Sequence, residues 1–136
     1  MARDLIHENV KNALIKAGWD ITHDPLVLRT GNARMEVDLG AEKIIIAQKG
    51  KQKIAVEIKS FRVLSVLQAF YEALGKYLSY RSALKESKQK RELFLAISTV
   101  TSKRIQKIPF VIERFQEFGV NLIVIDIRNE TIVEWK

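Results

Sequence analysis

The chain contains no cysteine. Disulfides, thiolate nucleophiles and thiolate zinc sites are therefore excluded. No apolar run is long enough for a transmembrane helix, so none is expected. The first ten residues, MARDLIHENV, lack the apolar stretch of a secretory signal. A cytoplasmic location is the expectation. Only two prolines occur. Pro25 stands in a His-Asp-Pro turn, where it bars helix, and Pro109 suits a first helical turn. Repeats, linkers and low-complexity tracts are absent. So are a P-loop, a glycine-rich dinucleotide fingerprint and a nucleophile elbow.

What remains is an ordinary globular composition. The 136 residues suffice for one domain, 1–136, with a real core. Hydrophobic residues make up 47% and charged residues 29%. The charge is lopsided: 23 basic against 16 acidic residues, a net +7. That favours a polyanionic partner such as DNA, bound in a salt-sensitive way.

Periodicity sets the elements. Asp4 to Ala17 reads as an amphipathic helix, with Leu5, Ile6, Val10, Ala13, Leu14 and Ala17 at helical spacing. Asp4 is the expected N-cap, and Gly18 ends the helix. Trp19 to Thr22, Leu26 to Thr30, Arg34 to Leu39, Lys43 to Gln48 and Gln52 to Lys59 read as strands. The last two are joined by a Lys49-Gly50-Lys51 turn, and the whole is an antiparallel meander. A long helix covers Val66 to Glu86. Leu93 to Ser98 is an apolar, central strand. Thr101 or Ser102 caps a further helix, broken or restarted at Pro109 and ended by Gly119. Asn121 to Asp126 is a buried strand and Thr131 to Trp135 an edge strand. The fold class is α/β, a mixed sheet with helices on its faces.

The segment from Val37 to Ser60 carries the chemistry. Ile54, Val56 and Ile58 bracket Glu57 and lead to Lys59. Residues two apart on a strand share a face, so Glu57 and Lys59 point the same way. Asp38, one hairpin upstream, sits between Val37 and Leu39. Carboxylates in apolar strands are costly unless something holds them. Asp followed by Glu-x-Lys on neighbouring strands is the metal-site pattern of restriction-endonuclease-like nucleases. A solvated strand with an incidental ion pair is the competing reading. Asp38 and Glu57 offer hard oxygen ligands suited to magnesium or manganese. Lys59 can position a water or stabilise charge on a phosphate. A tight Lys49–Lys51 hairpin puts Glu42 near Glu57 as a second candidate acid, a helper or a surface group.

Other residues carry two readings each. Glu8 is either a solvated helix acid or a further metal ligand. His7 and His23 read as surface or capping residues, and His23-Asp24 as a structural turn rather than a catalytic dyad. Lys76, Tyr77, Tyr80 and Arg81 form a face that can stack bases and hold phosphates. Alternatively Tyr77 packs in the core and Tyr80 and Arg81 form a helix rim. Lysine and arginine clusters at 49–53, 85–91 and 103–107 are phosphate-binding surfaces or solvated faces.

Four segments together resemble the XisH family of fdxN element excision controlling factors. They are HENVKNALIKAGWDITHDPL (His7 to Leu26), MEVDLGAEK (Met35 to Lys43), IAVEIKSF (Ile54 to Phe61) and EALGKYLSYRSAL (Glu72 to Leu84). The resemblance covers nearly the whole chain. It implies a restriction-endonuclease-like sandwich with an α-β-β-β-α-β core. The superfamily's Asp then falls on Asp38, its Glu-x-Lys on Glu57 and Lys59, and its first-helix acid on Glu8. Val37 stands where the superfamily motif has proline. The resemblance further implies an accessory to a site-specific recombinase, acting on DNA beside an XisI-like companion. A homodimer would let a two-fold nuclease address both strands. The function expected is thus DNA excision, with a magnesium- or manganese-dependent endonuclease site. The alternative is a catalytically inactive accessory that binds DNA or protein.

Overall fold

The switch from period-two to helical patterning is reproduced along the chain. A computed structural model describes residues 4–45, 50–61, 65–88 and 90–136. In order, its elements are α1 (His7–Lys16), β1 (Asp20–His23), β2 (Leu26–Thr30), β3 (Ala33–Val37), β4 (Leu39–Ile45) and β5 (Gly50–Ile58). Then come α2 (Val66–Glu86), β6 (Glu92–Ser98), α3 (Thr99–Gln106), α4 (Pro109–Glu117), β7 (Leu122–Asp126) and β8 (Thr131–Trp135). Local chemistry sets several boundaries. The Ser65 hydroxyl accepts from Gln68 N at 3.1 Å and starts α2. Ser98 does the same for α3, accepting from Thr101 N at 3.0 Å. Pro109 opens α4.

The main sheet has the order β1-β4-β5-β6-β7-β8. β5, β6 and β7 run parallel to one another, and the other pairs are antiparallel. Parallel neighbours need long crossovers, supplied by α2 and by α3 with α4. Each sheet face has its own core. On the α2 face, Ala55, Leu93, Leu95 and Ile97 pack with Phe70, Ala73, Tyr77, Val111 and Phe115. On the α1 face, Leu39, Ala41, Ile54, Val56 and Ile58 pack with Val10, Ala13, Leu14 and Trp19. Fully burying each Val, Leu, Ile or Phe among them contributes about 1.5–3 kcal/mol before entropy is counted.

Four sequence expectations are corrected. The meander is not continuous, because β2 and β3 form a separate two-stranded sheet. Alternation alone does not say which strand a ladder edge will meet. Second, Ile45 pairs with Gly50, so Gly50 and Lys51 lie in β5 rather than in a turn. The expected strand residues 46–48 and the turn residue Lys49 lie outside the described residues. Third, α1 begins at His7 without a side-chain cap on its N-terminal turn. Asp4 instead uses its carboxylate on Ile6 N at 3.2 Å and on Ser60 N at 3.0 Å. Last, Thr101 and Ser102 lie inside α3, and Ser98 is its cap.

Candidate functional site: an acidic pocket beside the end of β5

Strand parity places the key acids. Ile54, Val56 and Ile58 face the α1 core, so Ala55, Glu57 and Lys59 face α2. Lys59 N still donates to Ala96 O at 3.1 Å, which extends the β5–β6 ladder beyond Ile58. Asp38 occupies the single step between β3 and β4. Val37 belongs to the α2-side core and Leu39 to the α1-side core. Leu39 pairs with Val56, so the next step of the same register sets Asp38 against Glu57. Ile58 N donates to Asp38 Oδ2 at 2.8 Å and fixes that carboxylate.

The resulting electrostatics are severe. Glu57 is 5% exposed, and its Oε1 has no hydrogen-bond partner. Burial, first, and then the charge and hydrogen bonding of Asp38 push its carboxyl up to about 9. Lys76 opposes this shift. At neutral pH Glu57 therefore keeps its proton beside Asp38. Tyr80 is pushed upward as well, by burial and then by Glu57, Asp38 and Glu36. Lys59 Nζ lies 3.1 Å from Glu72 Oε2. That contact holds the Glu72 carboxyl below its ordinary range.

Asp38, Glu57 and Lys59 all line one cavity of about 270 Å³. Lys76 and Tyr80, one turn apart on α2, form one wall. Asp4, His7, Asp24 and Glu36 complete the polar rim. His7 corrects an expectation. It is 3% exposed rather than a surface group, and its Nε2 lies 2.8 Å from Asp24 Oδ1. Lys11 reaches the other Asp24 oxygen at 3.0 Å. The His7 Nδ1 is buried without a partner. A signal for its burial was present in the sequence. His7, Val10 and Leu14 share one helical stripe.

The remaining candidates divide. Glu8 is exposed on α1 and does not line the cavity. The backbone of Glu42 pairs with Lys53, four residues along β5 from Glu57. That separation is about 13 Å, so Glu42 does not neighbour Glu57 as the displaced turn had implied. Its side chain lies outside the described residues. Tyr77 is fully buried, donates to Leu93 O at 2.9 Å and accepts from Asn121 N at 3.0 Å. Arg81 donates to Phe118 O at 2.6 Å and lies over the Tyr77 ring. These two brace α2 against the chain around Gly119, whereas Lys76 and Tyr80 face the acids. His23 is exposed, as expected, and its Nδ1 lies 2.9 Å from the Thr22 hydroxyl.

Among the described residues, no group of three or more His, Cys, Asp or Glu side chains is arranged to hold a metal. Of the pocket's carboxylates, Asp38 and Glu57 are the two set against each other by the strand register, and one of the Glu57 oxygens is orphaned. Magnesium keeps several waters and often takes only one or two protein carboxylates. The donor set therefore fits magnesium or manganese and not a closed structural site.

Fold and pocket together define a mixed α/β protein with a mixed sheet, four helices among its described residues and an acid pair of which one member, Glu57, is buried. The family model described as XisH protein matches residues 1–133, and the chain belongs to that family. An XisH family protein from Nostoc punctiforme PCC 73102 is 37% identical, with 97% of this chain and 98% of that one covered and a TM-score of 0.87. A fdxN element excision controlling factor protein from Anabaena variabilis is 40% identical, with 98% of each chain covered and a TM-score of 0.87. No curated protein matches the chain. No helix among the described residues is long and apolar enough to cross a membrane.

Proposed function

We propose that this chain is a DNA excision accessory of the fdxN type, with a restriction-endonuclease-like domain and a magnesium- or manganese-dependent phosphodiester-cleaving site. One observation carries the reading. Asp38 and Glu57 face each other across β4 and β5, one of them buried with an orphaned oxygen, and Lys59 lines the same cavity. An acid pair with one member buried, which must retain a proton, is poor design for stability. It is good design for accepting a cation in the proton's place.

Asp38 and Glu57 would hold the ion. When bound, it would supply Lewis-acid stabilisation of phosphate charge and a more acidic water. Asp38 is preset for this work, because the Ile58 amide orients its carboxylate. Glu57 must lose its proton on loading. Lys59 would leave Glu72, turn toward the phosphate and stabilise the charge that develops there. The DNA strand, an XisI-like companion and the recombinase are the proposed partners. A homodimer would allow cuts in both strands.

The test is purified protein with manganese and supercoiled plasmid. Wild type should nick, and Asp38→Ala and Glu57→Ala should abolish nicking. Lys59→Ala should slow it by about 100-fold or more, since one positioned charge is worth a few kcal/mol in such sites. Nicking that persists in Glu57→Ala would overturn the site assignment.

A second reading has its own support. Lys59 already has a partner in Glu72, and a proton held between Asp38 and Glu57 relieves the charge of the pair. A domain that only binds DNA or a companion protein would look the same at rest. Absence of nicking, with tight binding to an XisI-like protein, would favour it.

A further inference from the structure

The α2-facing side of β5 is charged at both ends, and the far end is as unusual as the acidic one. Lys51 and Lys53 share the strand face of Ala55 and Glu57. With Lys88, Lys90, Arg91 and His23 they line a second cavity, of about 630 Å³. Among the described residues that line it, five of six are cationic types and none is acidic. A concavity whose described lining is of one sign of charge focuses the field and favours a polyanion.

Three details show that the concavity is built rather than incidental. Arg91 Nη1 donates to Ile54 O at 3.0 Å, which pins it across β5. A Cβ at Gly40 would come within 3.1 Å of His23 Nδ1 and 3.3 Å of Arg91 Nη1. Glycine there lets both side chains lie flat over the sheet, one step along β4 from the Asp38 side. Lys88 adopts φ 63°, the left-handed conformation that favours glycine after a helix. A lysine is held there against its backbone preference.

The arrangement is continuous. Along one sheet face run the acid pair, then His23 and Arg91 over Gly40, then Lys53, whose backbone pairs with that of Glu42, and last Lys51. From Glu57 to Lys53 is about 13 Å, the axial rise of about four base pairs of duplex. We propose that this basic cleft holds the phosphate backbone of duplex DNA and delivers the adjoining stretch to the acidic pocket. The acid pair repels phosphate until a cation loads. The affinity must therefore come from elsewhere, and the cleft is placed to supply it. The proposal rests on the DNA reading above and adds to it the surface that holds the strand.

The experiment measures binding of labelled duplex to the full chain in EDTA, across a salt series, so that cleavage plays no part. A triple variant, Lys51→Gln with Lys53→Gln and Lys90→Gln, should lose about tenfold or more in affinity. Its slope of log affinity against log salt should fall by about three. A charge-matched control, Lys103→Gln with Lys107→Gln and Lys136→Gln, should lose much less. The three cleft lysines changed to arginine should bind like wild type. Equal losses in cleft and control variants would overturn the cleft while leaving the nuclease reading intact. No duplex binding by wild type at low salt would overturn both. Poly-glutamate that binds wild type as tightly as duplex of equal charge would assign the cleft to an acidic protein and overturn the proposal.

Discussion

The two faces of β5 solve opposite problems with alternate residues of one segment. Toward α1, Ile54, Val56 and Ile58 are buried among Val10, Leu14 and Trp19. That face is dry and apolar from Ile54 to Ile58. Toward α2, Ala55 alone is apolar, with Lys51 and Lys53 on one side and Glu57 and Lys59 on the other. The difference teaches where stability and chemistry are kept. Burial on the first face holds the strand rigid, and that rigidity lets the second face carry groups that destabilise it.

Mutation should separate the two faces. Ile54→Ala removes a fully buried side chain from the dry face. It should cost about 2–5 kcal/mol in urea unfolding, from lost transfer energy plus a cavity. A cost below about 1 kcal/mol would mean the α1 face is not the structural one.

The charged face should answer to pH instead. Glu57 is held near 9 in the fold against an ordinary 4.5. Between those values the folded state holds a proton that the unfolded state has released. The advantage is complete below about 4.5 and is lost as pH rises toward 9. Stability in metal-free buffer should therefore fall with rising pH, by at most about 1.4 kcal/mol per unit from this group. Glu57→Gln should remove that slope, because an amide does not titrate. A slope unchanged in Glu57→Gln would place the burden on another group.

Sequence reasoning reached unequal depths on the two faces. The dry face was legible, because alternation of β-branched residues needs no knowledge of partners. The limits of α2 and β8 were legible for the same local reason. That Asp38 and Glu57 share one site was read from the Asp and Glu-x-Lys pattern, whereas the hairpin as placed set residues near Ile44 opposite Glu57, and that hairpin was misplaced. Charged residues at 49–53 resemble a turn, whereas Gly50 and Lys51 belong to β5. His7 was read as exposed because its partner, Asp24, lies 17 residues on and across a turn. Tyr77 and Arg81 read either as a binding face or as a core residue and a helix rim, and the structure has Tyr77 in the core. Their partners, Leu93, Asn121 and Phe118, are set by the packing of α2 against the sheet, which no window of sequence reveals.

That bracing is the next test in size. Tyr77→Phe keeps the ring on the apolar side and deletes only the hydroxyl. Asn121 N loses its acceptor, while Leu93 O still accepts from Asn121 Nδ2 at 3.1 Å. Two hydrogen bonds are lost and one backbone donor is left without its acceptor, so the cost should be about 1–3 kcal/mol by urea unfolding. DNA affinity should not change if Tyr77 is a brace. A loss of affinity without a loss of stability would return it to the binding surface.

The smallest expected change in stability is at Glu72, and it bears most directly on the comparison. Glu72 sits on the solvent side of α2 and holds Lys59 at 3.1 Å. Exposed ion pairs of this kind contribute little to folding. Glu72→Gln should therefore leave the melting curve in place. Its effect belongs to the charged face. With the pair broken, Lys59 is no longer drawn away from the cavity it lines with Asp38 and Glu57. If Lys59 serves phosphate chemistry, the variant should nick plasmid at least as fast as wild type, and adding Lys59→Ala should remove that activity. If Lys59 is only a surface partner of Glu72, Glu72→Gln and Lys59→Ala should behave alike in nicking and in stability. The same two variants thus decide whether the end of β5 is a site or a charged rim.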